Sequence, residues 1–546
     1  MIRIPLSNCT KARFVLACAR YCLLPLLLLS FTLQLPAQPA ARKKKEAPAV
    51  AAQSLPQQIA ALDAYIAKAR DDWKVPGLAV AIVQGDKVLL SKGYGVLEAG
   101  SSNPVDEHSL FAIASNSKAF TSAALAMLVD EGKLQWDDRV SQHLPWFRLR
   151  DPWASADIRV RDLLCHRSGL GTFSGDLLWW GTPYSAREVL ERAALLEPAV
   201  PFRAKYEYSN LMFIAAGEVI RAVSGLSWEQ FTAQRIFSPL GMNRSVTSTR
   251  ELPAKGNVAT PHKTYSDRSQ PIEWMNWDVM GAAGGVISSV SDMSKWMQCQ
   301  LAQGANPPGA KALFTQARSR EMWEAHTPIP VSEGSRRRFP STHFRAYGLG
   351  WSLSDYLGYK LVGHGGGYDG MYSQVLMAPE KGLGVVVLTN SMTGIGSAIT
   401  YKVMDTFLGD AGRDWSSEML PGAMASQQAF ERRIRETIAP VATGTHPSQE
   451  PSAYTGLFRC PMYGDARVEL ENGKLVLRLL PYPDLVADLA HLHYDTYEVR
   501  WRKDFAWFGS GTAQFIPDSK GRFVRIALDI PNDDLWFYEL KLERVE

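Results

Sequence analysis

Ser115-Asn116-Ser117-Lys118 opens an apolar run that continues through Ala119, Phe120, Ala123, Ala124, Leu125, Met127, Leu128 and Val129 and stops at Gly132. The spacing predicts a helix that begins near Ser115, with Gly132 as its stop signal. Residues three apart share a helix face, so the Lys118 amine lies beside the Ser115 hydroxyl. A serine at a helix start also sits where free backbone N–H groups and the helix dipole favour negative charge, the charge that develops on a carbonyl oxygen under attack. A plainer reading exists, a serine cap followed by a solvated lysine. Against it, this is the sole Ser-x-x-Lys of the chain, and the residues flanking Lys118 are apolar.

A lysine at its ordinary pKa of about 10.4 is protonated at neutral pH, so a role as base demands a fall of about 4 kcal/mol. Apolar surroundings together with a second cation or a hydrogen-bonding tyrosine supply such a fall. The chain offers partners. Tyr206-Glu207-Tyr208-Ser209-Asn210 runs into an apolar helix expected over 211–223, which puts Tyr208 and Asn210 on its entry. Leu361-Val362-Gly363-His364-Gly365-Gly366-Gly367 lies between two strand-like runs, the second at 373–378, and its glycines allow a substrate backbone to approach a strand edge.

Ser-x-x-Lys, Tyr-x-Asn and His-x-Gly, in this order across about 250 residues, resemble the motifs of the penicillin-recognising serine hydrolases: class C β-lactamases, DD-peptidases, and related esterases and D-aminopeptidases. Leu163 to Leu170, Ser238 to Met242, Ala283 to Val286 and Tyr347 to Trp351 look like framework stretches of the same family. The resemblance covers residues 57 to 408. It implies Ser115 as acylated nucleophile, Lys118 as its general base or the group that polarises it, Tyr208 as proton shuttle, and Asn210 as the group orienting the lysine and the substrate amide. Backbone N–H groups of Ser115 and Gly367 form the implied oxyanion hole, with Gly365 and Gly366 against the substrate.

His364 stands where β-lactamases and transpeptidases carry lysine. Histidine is mostly neutral at pH 7, so no permanent cation awaits a substrate carboxylate, and esters or peptides, D-amino-acid peptides included, become the expected substrates. A β-lactamase or DD-carboxypeptidase is the alternative activity; a ligand-trapping envelope protein without turnover is the alternative class. His166 is assigned to a framework turn. No Gly-x-Ser-x-Gly elbow and no His-Glu-x-x-His occurs, which argues against the α/β-hydrolase and zinc-peptidase mechanisms. No metal and no cofactor is expected.

Arg3, Lys11, Arg13 and Arg20 precede an apolar run from Tyr21 to Leu35, followed by small residues around Ala37 to Ala40, the pattern of a secretory signal peptide. A periplasmic or secreted protein is therefore expected, an uncleaved anchor being the second choice. Without residues 1–40, which hold those four bases and no acids, the formal charge of +4 falls to 0. Nothing points to nucleic acid, while Arg42-Lys43-Lys44-Lys45, in an expected disordered linker over 41–56, leaves peripheral contact with an anionic envelope open. A homo-oligomer is equally open. Beyond the signal, Cys165, Cys299 and Cys460 are far apart and odd in number, so disulfides are not the scaffold.

The expected fold is α/β (α+β): a domain at 57–409 with a central antiparallel sheet flanked by helices and a helical lobe near 130–280. Ser115 is expected where sheet and lobe meet. Residues 328–346, with Arg336-Arg337-Arg338, read as a mobile insertion. A charged helix near 425–437 and a Pro/Thr/Ser-rich link fill 410–451. Residues 452–546 then alternate in period two, with Glu471-Asn472-Gly473 as a hairpin turn and strand-like runs at 497–502, 512–516, 523–528 and 535–542. This predicts a small antiparallel β-barrel, similar to the lipocalin-like domains of some family members. Tyr454, Tyr482, Trp501, Trp507 and Trp536 are expected mainly as its core, with a ligand cup or a cover over the cleft as alternatives.

Overall fold

A computed structural model describes residues 54–305, 311–409 and 412–545. The expected signal peptide and all but the end of the expected linker lie outside the described residues. Ser54–Glu546 is one compact unit.

Its centre is an antiparallel sheet of eight strands: β1 Gly77–Gln84, β2 Lys87–Gly95, β3 Thr327–Ile329, β4 Arg345–Tyr347, β5 Ser352–Tyr356, β6 Tyr359–Tyr368, β7 Met371–Ala378 and β8 Leu383–Thr389, in the spatial order β2-β1-β8-β7-β6-β5-β4-β3. The first hairpin therefore docks on the last strand, with Val80 opposite Val387. Both faces of β1 are covered. Leu78, Val80 and Ile82 pack under helices α1 (Leu55–Asp72) and α5 (Ile395–Leu408), while Ala79, Ala81 and Val83 face the core that holds α2 (Ser117–Asp130) and α4 (Val290–Leu301). A strand buried on both sides loses polar alternation, which is why Gly77–Gln84 reads as a continuous apolar run.

Between β2 and β3 the chain leaves the sheet and builds the helical lobe around α3 (Asn210–Ser224), which is buried along most of its length. Residues 328–346, expected to form a mobile insertion, instead supply most of the last two strands of the sheet, β4 and the edge strand β3, joined through a short helix at Glu333–Arg338. Thr327–Ile329 is the edge of the sheet, and Pro328, which has no N–H to give a ladder, is suited to that place. The charged helix, α6, spans Trp415–Thr437 and begins earlier than expected, because Trp415 is buried and donates its indole N–H to Asp405 (2.6 Å).

The C-terminal strands close into an eight-stranded antiparallel barrel running from Gly456–Arg459 to Leu542–Arg544. The predicted hairpin is present, with Ala466–Glu471 paired to Lys474–Leu479 across Asn472 (φ 51°) and Gly473 (φ 78°), the two left-handed residues that a two-residue turn needs. Tyr454 fills the barrel interior, stacked on Phe523 (4.4 Å between centroids) and edge-on to Phe515 (5.0 Å). The run 535–542 is not one strand. It forms a turn at Phe537–Glu539 and only then the short closing strand, since the chain detours toward the helical lobe.

That detour makes the barrel and the catalytic region one body. Glu539 accepts from the Ser174 hydroxyl (2.6 Å) and the Gly175 N–H (3.1 Å), and pairs with the Tyr463 hydroxyl. The Tyr482 hydroxyl donates to the Leu177 carbonyl (2.9 Å), and the Lys263 ammonium to that of Phe508 (3.0 Å). Trp180 of the lobe meets Phe505 and Phe508 of the barrel edge-on, each at 5.5 Å.

Candidate active site

Ser115 lies in a single 3-10 turn, Ala114–Asn116, and α2 proper starts at Ser117. The turn is strained and anchored. Ala114 holds φ 46°, a left-handed value that costs a residue with a Cβ of order 1 kcal/mol. Asn116 donates to Ser373 Oγ (2.8 Å), which donates to the Ile113 carbonyl (2.7 Å), and Ser117 Oγ accepts from the Val286 N–H (2.9 Å). The two residues between Ser115 and Lys118 thus tie the turn to β7 and to the segment following Gly285.

Lys118 is fully buried, and its Nζ has three oxygen partners: Ser115 Oγ at 2.9 Å, Asn210 Oδ1 at 2.7 Å and the Ala283 carbonyl at 2.8 Å. Burial holds its pKa well below the usual lysine value, with the charge of Asp176 acting the other way. Asn210 Oδ1 and the Ala283 carbonyl are pure acceptors. A neutral amine satisfies them with its two hydrogens and turns its lone pair to the Ser115 hydroxyl. The Tyr208 hydroxyl lies 2.8 Å from Ser115 Oγ on another side, and burial lifts the phenol well above its ordinary pKa, so it is the donor. The three groups form a directed chain, Tyr208 O–H to Ser115 O–H to the Lys118 nitrogen. That arrangement can take the serine proton as Oγ attacks a carbonyl and offer a second proton to a departing group.

Asn210 opens α3 and donates through Nδ2 to Asp176 Oδ2 (2.7 Å). Burial pushes the Asp176 carboxyl up to about 7. His364 sits within β6, opposite Val375 of β7, and the glycines after it continue the strand, with Gly365 opposite Gln374 and Gly367 opposite Tyr372. His364 Nδ1 faces the Gly365 carbonyl, an acceptor, so Nδ1 carries the proton and Nε2 accepts from the Tyr347 hydroxyl (2.7 Å). Burial and the charge of Lys118 push its pKa down to about 3. Both ring nitrogens are committed and the ring is neutral. His166, also buried, has φ 57°, accepts at Nδ1 from the Ser209 N–H (3.1 Å) and packs against the Tyr208 ring at 4.1 Å.

Glycine is required at 366 for space. A Cβ there would lie 2.3 Å from the Ile113 carbonyl oxygen and 2.4 Å from Ser373 Oγ, so β6 can press on the Ser115 turn only without a side chain. Gly367 meets the indole of Trp507, 3.1 Å from where its Cβ would be.

A cavity of about 240 Å³ joins these groups, lined by Ser115, Tyr208, Asn210, His364, Gly365 and Gly367. Lys118 lies behind Ser115, and Gly366 faces the turn rather than the cavity. Asp176, Trp180, Trp277, Trp507 and Asp534 complete the wall. Sequence reasoning missed Asp176, Tyr347, Trp507 as a cleft residue, and Asp534. Tyr347 opens a framework stretch and was within reach; Asp176 and Asp534 carry no motif.

The sequence profile of the family described as Beta-lactamase matches residues 62–402, and that of the Domain of unknown function (DUF3471) matches residues 441–544. The chain is 30% identical over 415 residues to the unguisins hydrolase ungD' of Aspergillus campestris, covering 72% of this chain and 74% of that protein. The fold is similar to that of the octameric penicillin-binding protein homologue from Pyrococcus abyssi (TM-score 0.55, 22% identity, 89% of this chain and 100% of that one). It is also similar to a D-stereospecific amidohydrolase from Streptomyces (TM-score 0.50, 24% identity, 64% of this chain and 98% of that one). The chain belongs to the beta-lactamase family and is a hydrolase.

Proposed function

We propose that the protein hydrolyses ester or peptide bonds through an acyl-enzyme on Ser115, D-amino-acid peptides included. The observation that carries this reading is Ser115 Oγ held between Lys118 Nζ at 2.9 Å and the Tyr208 hydroxyl at 2.8 Å. Lys118 takes the Ser115 proton as Oγ bonds to the substrate carbonyl carbon, and the oxyanion rests on the Ser115 and Gly367 N–H groups. Tyr208 protonates the leaving amine or alkoxide as the C–N or C–O bond breaks. Water, deprotonated by the same pair, then releases the acid. Asn210 keeps the Lys118 hydrogens turned away from Ser115. Neutral His364, bonded to Tyr347, shapes β6 without supplying a cation, which favours esters and peptides over substrates that demand a paired carboxylate. The relative named as a hydrolase of unguisins supports a hydrolytic role. The basic and apolar N-terminal segment supports export.

The test is intact-protein mass spectrometry after exposure to a fluorophosphonate, beside turnover of p-nitrophenyl esters, D-alanyl peptides and nitrocefin. A single adduct absent from Ser115→Ala, with turnover of esters or peptides, is expected. A folded wild type that takes no adduct overturns the reading, and efficient nitrocefin turnover without the others makes the protein a β-lactamase.

A further inference from the structure

One aromatic residue of the cavity wall sits in a backbone conformation that its side chain disfavours. Phe173 lies in the lobe, just ahead of the turn that carries Asp176, and holds φ 60°. The Ser174 N–H closes on the Gly171 carbonyl at 3.0 Å, so Phe173 is the third residue of a four-residue turn, the position at which a positive φ calls for glycine or asparagine. A side chain there crowds the carbonyl that follows it. The same segment uses glycine for its other left-handed positions, Gly169 (φ 94°) and Gly175 (φ 84°), and sets a phenylalanine between them.

Packing does not account for that choice. Phe173 is only partly buried and lies outside the apolar clusters of sheet, lobe and barrel, and among the described residues its one aromatic neighbour is Tyr208, edge-on at 5.4 Å. What the side chain does line is the cavity, beside Ser115 and Tyr208. Its backbone is clamped to that tyrosine, the Phe173 N–H donating to the Tyr208 carbonyl (3.0 Å) and the Tyr208 N–H to Thr172 Oγ1 (3.1 Å). Two other rings of the wall, Trp180 and Trp277, are held by indole N–H bonds to Asp369 (3.3 and 3.0 Å) and need no unusual backbone. Gly171 to Ser174 are all partly exposed, which puts the Phe173 ring between the cavity and solvent. Strain kept by a residue that lines a cavity and packs in no core points to a task in that cavity.

We propose that Phe173 is a specificity-determining residue that sets the size of the acyl group Ser115 accepts, its ring closing the side of the cavity next to Tyr208 so that compact acyl groups react and long ones are turned away. The inference rests on the reading of Ser115 as the acylated residue and adds to it the class of acyl group. The cavity volume, about 240 Å³, is below the roughly 300–1,000 Å³ of sites for drug-sized ligands and fits a single amino-acid-sized group. Without the ring, the cavity opens along Gly171 to Ser174 toward solvent.

The experiment measures the rate at which p-nitrophenyl acetate, butyrate and hexanoate acylate the full chain, in the wild type and in Phe173→Ala, Phe173→Gly and Phe173→Trp, with circular dichroism to check that each is folded. The wild type is expected to favour acetate over hexanoate by about tenfold or more, and both small residues should raise the hexanoate-to-acetate ratio by about tenfold, the scale on which a pocket discriminates methylene groups. Phe173→Trp should lower the butyrate-to-acetate ratio, and it decides alone if neither small variant folds. Phe173→Gly, which also frees the turn, should melt above Phe173→Ala. A wild type that takes hexanoate as readily as acetate, acylation by none of the esters, ratios within about threefold of wild type in the folded variants, or Phe173→Ala melting at or above Phe173→Gly overturns the proposal. Fluorophosphonate labelling of the wild type separates the two failures: no adduct means the nucleophile is misassigned, whereas an adduct with unaltered ratios removes the size selection alone.

Discussion

Lys118 shows what a buried amine costs and what it does. Among the described residues its Nζ has no carboxylate in ion-pair contact, and two acceptors occupy its hydrogens, so the neutral form suits the site. In the unfolded chain the same lysine binds a proton up to about pH 10.4. Because its pKa in the folded state lies lower, the unfolded state binds more protons between the two values, and stability rises with pH across that window. Lys118→Met removes the titrating group. Acylation by a p-nitrophenyl ester should fall by about 10²–10⁴, the range of a general base. The wild-type rate should rise with pH through the lowered lysine pKa and then level off. The gain in melting temperature from neutral toward alkaline pH should shrink in the variant. An ester rate within about threefold of wild type would show that Ser115 does not depend on this amine.

At the scale of elements, the site is a contact between a strained turn and a strand. Gly366 has no room for a methyl group against Ile113 and Ser373, and Ser373 also anchors Asn116. Gly366→Ala should push β6 off the Ser115 turn, lowering kcat/KM by about 10² or more, because misplacement by about 1 Å is enough. The loss of melting temperature should be modest, the clash lying at one end of a well-paired strand. Normal activity in this variant, measured with the same ester, would mean that the strand and the turn move independently. Such elements are also where the sequence was informative and where it was not. Ser115, Lys118, Tyr208, Asn210 and His364 lie in short local motifs, and the sheet could be read because Leu78, Val80 and Ile82 alternate with apolar residues facing a second core. The strands Thr327–Ile329 and Arg345–Tyr347 could not: with three residues each, they are too short to show an alternation, and the arginines between them pattern like a loop. The run 535–542 failed for the opposite reason. Its apolar residues alternate as a strand would, but Leu535 and Phe537 are buried by a turn directed at the lobe. Local periodicity does not reveal which distant surface supplies the burial.

For the whole molecule, the cavity exists only when sheet, lobe and barrel are assembled, since Ser115, Asp176 and Asp534 reach it from three separate parts of the chain. One apolar cluster runs without interruption from Phe120 beside the Ser115 turn to Phe458 and Phe515 inside the barrel, so the two regions are expected to unfold together. Glu539 is the residue on which that union can be tested. It accepts from the Ser174 hydroxyl and the Gly175 N–H in the lobe, which lead directly into the turn that presents Asp176, and from the Tyr463 hydroxyl in the barrel. Glu539→Ala leaves three donors without their acceptor, and hydrogen bonds to a charged group contribute about 1.5–3 kcal/mol each. Because water reaches part of this contact, the net loss should be about 3 kcal/mol rather than the sum. Differential scanning calorimetry should show a single transition for the wild type. For Glu539→Ala it should show a lower melting temperature and a separate early transition as the barrel loosens from the lobe. The same variant should raise KM for ester substrates more than it lowers kcat, since the Lys118 and Tyr208 contacts to Ser115 lie within the catalytic region while the outer wall of the cavity does not. A wild type that melts in two well-separated steps, or a Glu539→Ala variant indistinguishable from it, would mean that the barrel is an appendage and that the cavity is closed by the catalytic region alone.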